Sequence, residues 1–234
     1  MLNNWFGDTV LLLCRIFKIV TLLFVVLFCV GFSQAAEKDK KAHDDVRQFM
    51  VQLESAADKI DSFRSDFVQE KELSLFAETM VFHGKLVVVR PDRLRWEFTD
   101  PVPSVFILNG DKGLRCSGEV TPVEFNLNSD PIMRSVAEQL WLWLGGDYSR
   151  LSDSFVLQKK DAASLLIFPK DSAVSEVIET VTIIFDLSTL QPQQVEIREP
   201  GGDLTRLHFS NYAFNIGSSD QLFTRCLAQP ANDN

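Results

Sequence analysis

The feature that most constrains the fold is a series of short extended runs that fills most of the chain after residue 60. The first run carries the period of two that is typical of a β-strand, in Phe63, Ser65, Phe67 and Gln69. Further runs, each bounded by turn residues, follow at 80–89, 94–98, 104–108, 113–117, 155–159, 164–169, 181–186, 193–199 and 204–209. Strands at this spacing predict one antiparallel sheet. The glycine-containing bend at 199–203 predicts that the last two strands are neighbours.

Two helices are predicted beside this sheet. Apolar residues three and four positions apart form the stripe of an amphipathic helix, namely Val46, Phe49, Met50, Leu53, Ala57 and Ile60. A second helix is predicted at 132–144, because a capping Ser129 or Asp130 and Pro131 precede it and Gly145 follows it. The predicted fold class is therefore mainly β with helices, α+β.

The N-terminal segment has the pattern of a secretory signal peptide. An apolar run at 19–32 follows Arg15 and Lys18 and leads into small residues. Its 14 residues span about 21 Å as a helix, which is short of a membrane core about 30 Å thick. We expect cleavage after Ala35 and export to the periplasm. Residues 36–228 then form a single domain, and the polar residues 229–234 form a disordered tail.

Four cysteines are present, and two of them, Cys14 and Cys29, lie in the predicted leader. Cys116 and Cys226 remain in the exported domain. They can form one disulfide, which would close a loop worth about 4.7 kcal/mol in the chain-entropy model, or they can stay as two free thiols. The sequence leaves both alternatives open.

Composition and spacing argue against several classes of function. The net charge of −9 repels nucleic acid and anionic membranes, so neither is an expected partner. The histidines, His43, His83 and His208, lack the spacing of a metal site, and the segment 110–113 is interpreted as a turn rather than a phosphate loop. We therefore predict no metal, no cofactor and no catalytic residue. Nineteen phenylalanines against two tyrosines suit either an ordinary core or a site for apolar ligands.

Several motifs in the β-rich part match one family. They are Phe-Arg-Ser-Asp-Phe-Val-Gln-Glu-Lys at 63–71, Gly-Lys-Leu-Val-Val-Val-Arg-Pro at 84–91, Leu-Arg-Trp-Glu-Phe at 94–98, the turn at 109–112 and the segment at 195–203. The Arg-Pro pair followed by a strand with tryptophan is the most specific of these. Through them the chain resembles the periplasmic outer-membrane lipoprotein carrier family, LolA, over roughly residues 46–223.

The resemblance implies an incomplete antiparallel β-barrel, with an N-terminal helix and a helical lid over a hydrophobic cavity. It implies that Arg90 hydrogen-bonds lid backbone and is released when the cavity opens for lipid. The residues expected to line the ligand site are Leu86, Val88, Arg90, Leu94, Trp96 and Phe98 on the sheet, and Ile132, Val136, Leu140 and Trp143 on the lid. Leu86, Val88 and Arg90 share one face by strand parity, as do Leu94, Trp96 and Phe98.

The same resemblance implies the partners. The cargo would be an acylated lipoprotein or another lipid, loaded by an inner-membrane ABC-type exporter and unloaded by an outer-membrane receptor, with the carrier itself a monomer. Three alternatives remain. They are a non-enzymatic outer-membrane assembly or scaffold protein with a solid core, a LolA-like accessory protein that exports another lipid-linked product, and an enzyme acting on lipids.

Overall fold

The structure is a computed structural model that describes residues 41–226 except 42, 76, 77, 119, 120 and 147. The chain divides into two compact units, residues 1–45 and 46–234, and the fold below is that of the second. The predicted leader, its cleavage point and the predicted tail at 229–234 lie outside the described residues. Among the helices of the described part, none is long and apolar enough to cross a membrane.

The described strands form a single antiparallel sheet of eleven, in the order β6-β5-β4-β3-β2-β1-β11-β10-β9-β8-β7. Their bounds are β1 Ser62–Glu72, β2 Thr79–Val89, β3 Arg93–Asp100, β4 Ser104–Asn109, β5 Lys112–Ser117, β6 Val123–Asn126, β7 Phe155–Lys159, β8 Ser164–Pro169, β9 Thr180–Phe185, β10 Pro192–Arg198 and β11 Leu204–Phe214. Each strand pairs with its sequence neighbour except across the β6–β7 connection, while β1 pairs with β11. The sheet stays open, with β6 and β7 at its edges. The predicted fold class and the β10–β11 hairpin are confirmed, and β6 is a strand that the pattern did not predict.

One longer helix precedes the first strand, and a second lies in the connection between β6 and β7. Helix α1 covers residues 43–57, and α2 covers Pro131–Leu144, between a capping Asp130 and Gly145. The Asp130 side chain accepts from the Met133 N–H at 3.0 Å, as the predicted cap requires. Two single-turn helices, α3 at Leu151–Ser154 and α4 at Ser172–Ser175, and 3-10 turns at Tyr148–Arg150 and Asp220–Phe223 complete the described elements.

The main core lies on one face of the sheet, which we call the inner face. Its buried side chains include Phe63, Phe67, Leu86, Val88, Leu94 and Leu108, together with Leu53 and Ala57 of α1. Phe67 is central to this packing, because its ring centroid lies 5.2 Å from that of Trp96 and 5.3 Å from that of Phe98. The strand register explains this cluster, since Phe67 and Phe98 both pair with Gly84 on the strand between them.

Gly84 makes room for that aromatic cluster. A Cβ added at Gly84 would overlap both the Phe67 ring and the backbone carbonyl of Glu97. We expect Gly84→Ala to lower the free energy of unfolding by about 1–3 kcal/mol, the usual cost of overpacking. Urea denaturation measures this, and Gly201→Ala is the matched control because nothing lies within 4 Å of a Cβ at Gly201. Equal stability of the two variants would contradict the packing described here.

The opposite, outer face is covered by the C-terminal segment of the described chain. Val89, Ile107 and Phe223 form a small second core there. Arg95, only 1% exposed, donates to the backbone carbonyls of this segment, namely those of Leu222 at 3.1 Å, Arg225 at 2.9 Å and Cys226 at 2.8 Å. Cys226 is also bonded to Cys116 of β5, with their Cα atoms 5.8 Å apart. Of the two alternatives left by the sequence, the structure has the disulfide.

Candidate functional site

The inner face of the sheet brings together the strand residues proposed for the site. Leu86, Val88 and Leu94 are 0% exposed, and Trp96 and Phe98 are half-buried against the same cluster. Leu86 pairs with Trp96, and Val88 pairs with Leu94, so these positions share one face as parity predicted. The result is an apolar wall that spans β2 and β3.

Helix α2 packs against the inner-face core with a different stripe from the predicted one. Leu140 and Trp143 pack against this core. Ile132 and Val136 are 71% and 39% exposed and do not face it. Among the described side chains of the helix, Ala137 and Leu144 are buried. At 100° per residue the buried arc is rotated by roughly a quarter turn from the predicted stripe. Both arcs are apolar, so periodicity did not separate them.

Arg90 lies where β2 ends and holds the end of α1. Its Nη1 donates to the Ala57 carbonyl and, at 2.7 Å, to the Ile60 carbonyl. The last carbonyls of a helix have no partner within the helix, and a cation suits the negative end of the helix dipole. The resemblance placed these acceptors on the lid. The structure corrects this, because both belong to α1 and the turn after it.

The turn after α2 approaches the same guanidinium. Gly146 has φ +88°, and a Cβ there would lie 2.6 Å from Arg90 Nη2 and 2.7 Å from the Ala57 Cβ. Just beyond this turn the Ser149 N–H donates to Glu54 Oε1 of α1 at 2.5 Å. We call this meeting point the Arg90 junction, and it comprises Arg90, Ala57, Ile60, Gly146 and Tyr148. It joins the ends of α1 and α2 to the sheet.

Burial dominates the electrostatics of the junction. It lowers the pKa of Arg90, although Tyr148, Asp58 and Asp61 oppose this shift. Tyr148 is 3% exposed, and burial raises its pKa to about 12 against the opposing charge of Arg90. Arg90 Nε has no hydrogen-bond acceptor among the described residues. Tyr148 and Gly146 were not predicted from the sequence; the available signal was that Tyr148, one of two tyrosines in the chain, stands two residues after a Gly-Gly pair.

The buried Tyr148 gives an alkaline signature. Below pH 10 the phenol is protonated in both states, so it does not change stability with pH. Above pH 10 the unfolded chain loses the proton first, and we expect Tyr148 to lower the free energy of unfolding by about 1.4 kcal/mol per pH unit up to about pH 12. Burial also raises the pKa of Tyr212, so that residue adds a slope of its own. Urea titrations between pH 9 and pH 12 test this, roughly spanning both pKa values of Tyr148. Tyr148→Phe should remove the Tyr148 part of the slope and keep the Tyr212 part, and an identical slope in the variant would refute the assignment.

Two cavities lie near the β6 edge of the sheet. The larger, about 860 Å³, runs between β5, β6, the start of α2 and the turn at Phe223, and Ile132 lines it. The smaller, about 310 Å³, is lined by Phe98, Phe106 and Val123 among others. No group of three or more metal-ligating side chains occurs within the described residues. What the site offers is apolar surface together with a polar junction at one end of it.

Comparison with known proteins gives a consistent result. The family model "Outer membrane lipoprotein carrier protein LolA" matches residues 58–226, which is more than half of the chain. A relative from Methylococcus capsulatus, an outer-membrane lipoprotein carrier protein, is 22% identical over 202 residues, covering 86% of this chain and 90% of its own.

Solved structures with similarity include a LolA superfamily protein from Nitrosomonas europaea. It is 13% identical with a TM-score of 0.39, and the match covers 74% of this chain and 96% of that one. The MucA/MucB complex of Pseudomonas aeruginosa is another, at 16% identity and a TM-score of 0.44, covering 79% of this chain and 63% of that one.

Proposed function

Because this chain belongs to the outer membrane lipoprotein carrier protein LolA family, we propose that it carries the acyl chains of lipoproteins through the periplasm, from the inner to the outer membrane. The proposed site lies between the inner face of the sheet and α2. The observation that carries it is the apolar wall of Leu86, Val88 and Leu94, which belongs to the same core that Leu140 and Trp143 of α2 pack against. A bound acyl chain would take the place of Leu140 and Trp143 on the sheet, so one apolar contact surface would be exchanged for another.

The energetics suit a carrier that works without an energy source of its own. Each methylene buried is worth about 0.8 kcal/mol, so part of one acyl chain is enough for firm binding. Binding competes with closure of the helices. The turn beyond α2 is tied to α1 through Ser149 and Glu54, and the two hydrogen bonds of Arg90 to the end of α1 would stabilise the closed state of both helices. A loader and an acceptor are therefore needed, and we propose an inner-membrane ABC-type exporter and an outer-membrane receptor. We further propose export by a cleaved signal peptide and action as a monomeric, non-enzymatic protein.

A second candidate is a scaffold protein of outer-membrane assembly with a solid core. The zero exposure of Leu86, Val88 and Leu94 favours it, because these side chains are already fully packed without a ligand. The two candidates differ in whether α2 leaves the sheet.

A retention assay tests the carrier proposal. A triacylated lipoprotein in detergent is diluted, in the presence of the purified protein, until the detergent is below its critical micelle concentration. The fraction of lipoprotein that stays soluble after ultracentrifugation is then measured. We expect the protein to keep it soluble and to leave its deacylated form unbound. The inward-facing Leu140→Gln should weaken retention, while the outward-facing Val136→Gln, a matched change on the same helix, should not. Sedimentation of all the lipoprotein with the wild-type protein would favour the scaffold reading.

A further inference from the structure

Two tryptophans in the proposed site carry buried indole N–H groups that have no acceptor. They are Trp96 on β3 and Trp143 on α2, and neither Nε1 has a hydrogen-bond partner within the described part of the chain. A buried indole N–H normally finds an acceptor, because the group loses its hydrogen bonds to water on burial. These two donors are therefore exceptions that call for an explanation.

Shape alone does not explain the choice of tryptophan. Phenylalanine would fill an apolar site without a donor to satisfy, and this chain contains nineteen of them. Trp96 is already surrounded by such rings, since Phe67 lies 5.2 Å away and Phe106 is its cross-strand partner on β4. An aromatic cluster of this kind gains nothing from a buried N–H in the closed state.

The two donors stand on the two walls between which the proposed cargo would lie. Trp96 belongs to the inner face of the sheet, and Trp143 belongs to the helix that packs on it. An acyl chain is by definition joined to the rest of its molecule through a carbonyl, whose oxygen accepts hydrogen bonds. A carbonyl that enters an apolar site loses its water and needs a donor there.

Resting on the proposed function, we propose that the indole N–H groups of Trp96 and Trp143 donate hydrogen bonds to the carbonyl oxygens at the heads of the bound acyl chains. The site then recognises acyl esters and amides rather than hydrocarbon in general. An alkyl ether of the same length fills the same space but lacks the carbonyl, so it leaves both donors without an acceptor. The carbonyls also fix how far each chain enters the site.

The test compares a diacyl glycerolipid with its dialkyl ether analogue of the same chain length and headgroup. Both displace a fluorescent apolar probe from the protein purified from the periplasm. We expect the ester to bind about tenfold more tightly than the ether, from two neutral hydrogen bonds together. Trp96→Phe and Trp143→Phe should each lower the ratio of ester affinity to ether affinity by about threefold. Trp141→Phe is the control, because Trp141 is half-buried on the same helix but is not one of the two donors.

Indole proton NMR supplies a second readout that does not depend on the stability of the variants. On addition of the ester to the wild-type protein, the Trp96 and Trp143 N–H resonances should move downfield, and the ether should not cause this. Equal binding of ester and ether by the wild-type protein, without such shifts, would overturn the inference and leave the carrier proposal standing. Failure of both lipids to displace the probe would overturn both.

Discussion

Replacing Cys116 and Cys226 by serine together is expected to lower the free energy of unfolding by about 4–5 kcal/mol. The disulfide joins residues that are 110 apart, and the chain-entropy model gives about 4.7 kcal/mol for a loop of this order. Since a typical domain has only about 5–15 kcal/mol of stability, this loss takes a large share of the total. Urea unfolding of the oxidised wild-type protein and the double variant measures it.

The hydrogen bonds of Arg95 make it possible to separate two effects of the disulfide, namely closing the loop and holding the C-terminal segment in place. They hold the same C-terminal segment through three carbonyls and do not depend on sulfur. The double variant should therefore keep its folded structure at low urea, with the hydrogen-bonded amides of Leu222 and Thr224 still protected from hydrogen exchange. Reduced and thiol-blocked wild-type protein should match the variant. A change in stability of less than about 1 kcal/mol would contradict the loop-closure account.

Replacing Arg90 by leucine is expected to make the protein hold its cargo about a hundredfold more tightly and release it correspondingly more slowly. The change removes two hydrogen bonds from a charged group to the Ala57 and Ile60 carbonyls, worth about 3 kcal/mol together. Under the proposed function those bonds hold α1, and α2 tied to it through Ser149 and Glu54, in the closed state, and cargo binds the open one, so their loss shifts the balance toward the loaded form. The measurement is the rate at which a loaded, fluorescently labelled lipoprotein moves from the carrier to acceptor liposomes.

Two variants separate this effect from a general loss of charge. Arg90→Lys keeps the charge but loses the Nη1 that donates to both carbonyls. Its transfer rate should therefore lie between the rates of Arg90→Leu and the wild type. Arg93→Leu, three residues on, removes an ion pair to Asp220, whose side chain is 90% exposed, and should leave transfer unchanged. Transfer by Arg90→Leu at the wild-type rate would show that the junction does not control closure.

Strand parity made much of the sheet predictable. A period of two fixes which residues of one strand share a face, so the grouping of Leu86 with Val88 and that of Leu94 with Trp96 followed from the sequence and agree with the register. Strand β6 was missed because Val123–Asn126 is only four residues long and directly follows Pro122. So short a segment becomes a strand through its pairing with β5, which is a non-local contact.

The inward face of α2 and the hydrogen-bond partners of Arg90 were not predictable from the sequence. The caps Asp130 and Gly145 fixed the bounds of α2, but its apolar residues extend around so much of the helix that two inward faces were equally plausible. Tertiary packing buries Ala137 and Leu144 and leaves Ile132 and Val136 exposed. The partners of Arg90 lie about thirty residues away in the chain, and no local pattern indicates which carbonyls a guanidinium will reach.

The central claim is that this protein carries acylated lipoproteins, and the most direct measurement is of what it carries in the cell. The chain is expressed with its own N-terminal segment and purified from the periplasm in mild buffer without detergent. Bound molecules are then identified by mass spectrometry, with Arg90→Leu as the variant that should retain more of them. We predict triacylated polypeptides, enriched on that variant. The account would be contradicted if both the wild-type protein and Arg90→Leu were purified without a bound lipid or lipoprotein and neither bound acyl probes in vitro.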